Sequence, residues 1–181
     1  MKRLQRVAVV AVLAGVLFSF VSLAPVSADT QLTDDQQTHI RDNCSQIKNT
    51  LNQLHVSDTL LRVNRGQFYE SMSSKLMERF NTRLSNNSID NNAFVTITDG
   101  YGVTLNAFRV DYQAYEQQLS NTIAIDCTKR PVTFYSAVNN SRDLRHKVHD
   151  DITKLNQQIG DYQTALGSFA DSYSKVSGGQ Q

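Results

Sequence analysis

The sequence has no tryptophan and only 2 cysteines, 2 prolines and 8 glycines among 181 residues. Two cysteines are too few for a disulfide-rich scaffold or a four-cysteine zinc site. So little proline and glycine leaves too few tight turns for a sandwich of many short strands. Charge of one sign is missing as well. Eighteen Lys and Arg stand against 17 Asp and Glu, a net charge of +1, with no basic tract. Nucleic acid is therefore not an expected partner, nor is a membrane held by a polybasic patch. Motifs of known chemistry are lacking too: no G-x-S-x-G, no H-E-x-x-H, no glycine-rich phosphate loop, no EF-hand loop and no paired C-x-x-C. The expectation is a non-enzyme without catalytic residues or cofactor. What is left is one mostly helical domain, long enough to bury a core.

One long uncharged run is present, and it sets the compartment. Lys2, Arg3 and Arg6 precede the stretch from Val7 to Ala24, followed by Pro25 and the small-residue tripeptide Val26-Ser27-Ala28 before Asp29. This is the layout of a secretory signal peptide over residues 1–28. The alternative is an uncleaved anchor, the one way in which a membrane enters the reading. Export is expected either way, to an extracellular, periplasmic or cell-surface location. Cleavage would remove 3 of the 18 basic residues and none of the 17 acidic ones, leaving a net charge of −2.

The mature region, residues 29–176, reads as helix almost throughout. Thr33-Asp34-Asp35-Gln36 fits a capping box. Ile40, Cys44, Ile47, Leu51 and Leu54 then recur at spacings of three and four, and the stripe continues through Leu61, Phe68, Met72, Leu76, Phe80 and Leu84. A single helix over about 33–85 is expected, with a possible kink near Asn64–Gly66. Phe94-Val95-Thr96-Ile97-Thr98 alternates like a strand, but Phe94, Ile97, Tyr101, Leu105, Phe108, Tyr112, Tyr115 and Leu119 keep a helical period. That gives a second helix over about 90–121. Pro131 suits the first turn of a third, over about 131–175, before a flexible tail at 177–181.

In an exported chain Cys44 and Cys127 are expected to pair. A four-helix bundle broken near Ser57 would leave them roughly 15 Å apart along the axis, beyond the ~7 Å that a disulfide spans. An elongated, coiled-coil-like antiparallel three-helix bundle brings them level. It is the preferred all-α fold, with the four-helix bundle as the alternative.

Few side chains suggest chemistry. His146, His149 and Asp150 share a helix face and are weak candidates for metal ligands, opposed by neighbouring Arg145 and Lys147. The aromatic row Tyr101, Phe108, Tyr112 and Tyr115 reads first as core and second as the wall of a ligand groove. The last helix carries an apolar stripe of Ile152, Leu155, Ile159, Tyr162, Leu166, Phe169 and Tyr173 that looks long enough to outrun its partners. It is the expected interaction face. The leading functional expectation is a secreted or cell-envelope helical module that binds another envelope or extracellular protein, or itself. The alternative is an exported ligand-binding or chaperone-like bundle.

Overall fold

The computed structural model describes residues 32–178, and all of their regular structure is helical. The expected signal peptide at 1–28, and residues 179–181 of the expected tail, lie outside the described residues.

Thr33 opens α1 (Asp34–Asp42) with a complete capping box. Its hydroxyl accepts from Gln36 N at 3.3 Å, and its own N–H donates to Gln36 Oε1 at 2.9 Å. Asn43 then leaves helical backbone at φ −101° and ψ 11°, with its side-chain amide donating to His39 O at 2.9 Å. The first arm continues as α2 (Cys44–Ser71), a π-turn over Met72–Met77, and α3 (Glu78–Asn86). The single helix expected over 33–85 is therefore divided, at Asn43 and at the π-turn. No break falls at Ser57 or at Gly66, where α2 runs on unbroken. Gly66 costs about 1 kcal/mol there, but nothing in the packing opposes it.

The π-turn has a cause in the sequence. The inward positions Tyr69, Ser73, Met77 and Asn81 are spaced by fours and are all buried. At 3.6 residues per turn each step of four overshoots by about 40°, so an α-helix would carry Asn81 away from the core. One wide turn takes up the excess. The heptad stripe drawn from sequence loses its phase for the same reason. Leu61 and Phe68 are 47% and 51% exposed, whereas Asp58 and Tyr69 point inward.

Ser88, at φ 56°, turns the chain into α4 (Asn92–Ala124), and the side chain of Asn91 donates back to Asn81 O at 2.9 Å. The strand-like Phe94–Thr98 segment belongs to this helix. A short connector follows, in which the Asp126 carboxylate accepts from the N–H groups of Thr128 and Lys129. It leads into α5 (Pro131–Gly178).

Contacts between the helices fix their directions. Asp58 meets Arg145 and Tyr69 meets Asn156, each pair 87 positions apart, and Met77 meets Tyr162 at 85. A constant offset means that the first arm and α5 run the same way. Tyr115 meets Asp58 while Arg109 meets Glu70, so α4 runs against them. The core of this helical bundle is aromatic. Phe94 packs edge-on against Phe80, Tyr162 and Phe169, with ring centroids 5.2, 5.3 and 6.0 Å away. The buried phenols of Tyr101 and Tyr162 donate to Tyr69 O and Met77 O, carbonyls at the π-turn and just before it. At the other end Cys44 and Cys127 form a disulfide, with Cα atoms 5.5 Å apart.

Candidate functional site: a cleft between three helices

α2, α4 and α5 part between the disulfide and the π-turn, leaving a cleft of about 450 Å³. Helical spacing explains its lining. Asp58, Leu61, Arg62 and Arg65 occupy one face of α2 at offsets of three, four and seven. Phe108, Tyr112 and Tyr115 do the same on α4. From α5 come Arg142, Arg145, His146 and His149, with Val148 and Ile152 below them.

Asp58 anchors the site. It is 8% exposed, and Arg145 grips it with both nitrogens, Nε to Oδ2 at 2.8 Å and Nη2 to Oδ1 at 3.2 Å. Tyr115 donates its hydroxyl to the same Oδ2 at 2.7 Å. Burial pushes the carboxyl pKa up, but the hydrogen bonds from Arg145 and Tyr115 outweigh it, and the group stays ionised below its ordinary value. Burial and the adjacent Asp58 push the Tyr115 phenol upward. Arg145, Asp58 and Tyr115 thus form a charge-matched unit spanning all three helices.

The other arginines are not matched. Among the described residues Arg62, Arg65 and Arg142 have no carboxylate within 4.0 Å. The Arg62 guanidinium lies 4.8 Å above the Tyr112 ring, a cation–π contact. Tyr112 itself is 4% exposed, and its hydroxyl is buried without a hydrogen-bond partner. Burial raises its pKa, against a smaller lowering by Thr59. At the edge of this region His55 Nε2 stands 3.8 Å from Glu116 Oε1, too far for a hydrogen bond.

The sequence candidates divide accordingly. His146 and His149 reach the cleft; Asp150 does not line it, and no three His, Cys, Asp or Glu side chains converge among the described residues. Phe108, Tyr112 and Tyr115 form the cleft wall, whereas Tyr101 is fully buried in the core. The expected interaction face on α5 needs correction. Leu155, Ile159 and Tyr162 are buried in the bundle, and Ile152, Leu166 and Phe169 pack against the same core, which leaves Tyr173 exposed at 59%. The first arm reaches Asn86 and α4 starts at Asn92, so both accompany α5 as far as Phe169 and cover the stripe.

Sequence reading did not single out Asp58, Arg142 or Arg145. Asp58 resembled part of a helix cap, and Arg142 and Arg145 lay in a polar stretch read as solvated. The available signal was that this stretch, 139–147, interrupts an otherwise regular apolar stripe. No protein-family model, curated protein or solved structure matches the chain.

Proposed function

We infer that this is an exported, non-enzymatic binding protein, and that the cleft between α2, α4 and α5 is where its ligand sits. The cleft itself carries the reading: about 450 Å³, walled by Phe108, Tyr112 and Tyr115 and ringed by polar side chains. That size and that mixture of apolar wall and few polar groups are typical of small-molecule sites, which run from about 300 to 1,000 Å³. Export rests on the signal-like segment 1–28, and the Cys44–Cys127 disulfide is of the kind that persists in oxidising compartments. The scaffold in this reading is an antiparallel three-arm bundle, made of residues 34–86, α4 and α5, stapled at one end.

A second reading keeps the protein as an interaction module for another envelope or extracellular protein, or for a second copy. Val56, Leu60 and Val63 favour it. They are 62%, 62% and 48% exposed and follow one another at offsets of four and three along α2.

Intact-mass spectrometry separates the two on protein recovered from an exporting host without reductant. A chain starting at Asp29, two hydrogens light, that keeps an organic adduct under native conditions supports the cleft reading. A bare chain with dimeric mass favours the interaction module. An unprocessed N-terminus makes the protein membrane-anchored.

A further inference from the structure

We propose that the cleft recognises a small anionic amphiphile, with an oxyanion head such as a carboxylate held by the arginines and an apolar body laid against the aromatic wall. The inference rests on the reading of the cleft as a binding site and names the class of ligand.

Charge selects the head. Four arginines and one aspartate line the cleft, and Asp58 is consumed by Arg145. Arg62, Arg65 and Arg142 remain, on opposing helices, without a carboxylate within 4.0 Å among the described residues. This excess of positive charge is local, because the whole sequence carries a net charge of only +1. Three like charges around one opening repel one another and any cation, and an anion between them relieves that repulsion. A guanidinium also presents paired N–H groups matched to a carboxylate or phosphate.

Apolar surface selects the body. Leu61, Phe108, Tyr112, Val148 and Ile152 line the same space, so a fully hydrated ion would leave most of the wall uncovered. Arg62 is already drawn over the Tyr112 ring, which places one cationic head at the seam between the polar and apolar parts. A chain or ring carrying one anionic group satisfies both parts at once.

Calorimetric titration of the full exported chain, disulfide intact, with decanoate, decan-1-ol and decyltrimethylammonium tests this. Decanoate should bind with one-to-one stoichiometry, at least tenfold more tightly than the alcohol, and the ammonium should not bind. Arg62→Gln and Arg142→Gln should each weaken decanoate by about tenfold and leave the alcohol within about twofold. Raising salt from about 50 to about 500 mM on the parent protein reads the same charge term without a variant, and decanoate alone should weaken several-fold. If the alcohol binds as tightly as decanoate and is displaced by it, with no effect of salt or of either arginine, the anionic head is overturned and the cleft stands as a binding site. If neither ligand binds, both readings fall.

Discussion

Arg145 and Asp58 are 87 positions apart in sequence, and they close a two-pronged ion pair at 2.8 and 3.2 Å that ties α5 to α2. The two ends are unequal. The Asp58 side chain is 10% exposed and that of Arg145 52%, so the acid is the buried partner and the base reaches in from the rim. Removing Arg145 leaves a buried carboxylate with one remaining donor, Tyr115. Breaking a fully buried pair in this way costs about 3–5 kcal/mol, but a half-exposed arginine admits water, and Arg145→Ala should cost about 2 kcal/mol. Asp58→Asn in that background should recover part of the loss, because it removes the stranded charge. Urea unfolding of the four proteins of this double-mutant cycle measures it. A coupling near zero would show that the pair is ornamental to stability.

Two carboxylates should bend the pH profile of stability in opposite senses. Asp58 is held below its ordinary value of 3.8, so its contribution is complete above that pH and fades as pH falls through its lower folded value. Asp151 is shifted the other way, first by burial and then by the nearby Asp111 carboxylate, and its Oδ2 has no hydrogen-bond partner. A carboxyl raised in the folded state destabilises while ionised, so stability should rise as pH falls through its folded value. Asp151→Asn should therefore be more stable than the parent at pH 7 and converge with it in acid. Chemical-denaturation midpoints across the acid range check this, and a constant gap would remove Asp151 as the source.

The helical bundle and its staple were legible because both rest on local, periodic signals. The capping box at Thr33, the three-and-four spacing through α4 and the early proline of α5 each act within a few residues. Leu61 and Phe68 were misplaced because a heptad count assumes constant pitch, and the π-turn at Met72–Met77 resets the phase. The α5 stripe was misassigned because sequence does not reveal how far neighbouring helices reach. Asp58, Arg142 and Arg145 stayed hidden for a different reason. A charged residue on a helix reads as solvent-facing until its partner, 87 positions away in the case of Asp58, is brought to it.

The disulfide closes a loop spanning 83 positions, and a cross-link that long should raise stability by about 4 kcal/mol through the lost freedom of the unfolded chain. Measured values often fall below that figure, so about 2–4 kcal/mol is the expected cost of Cys44→Ser. The variant should keep its helical circular dichroism, because the aromatic core around Phe94 and Tyr162 lies at the other end of the bundle. Thermal unfolding with and without reductant checks the assignment: the parent should drop on reduction, and the variant should not respond.

Tyr112 offers the opposite kind of substitution, one expected to help. Its ring is needed as wall and as the platform under Arg62, but its hydroxyl is buried without a partner. Leaving a buried hydroxyl unpaired costs about 1–3 kcal/mol, and Tyr112→Phe removes the hydroxyl while keeping the ring. The unliganded variant should therefore be more stable by about 1 kcal/mol, the shortfall reflecting the slight looseness of any vacated site. Denaturant midpoints measure the gain. A loss of stability would mean that the hydroxyl has a hydrogen-bond partner in solution, and would point to an ordered water beside Arg62.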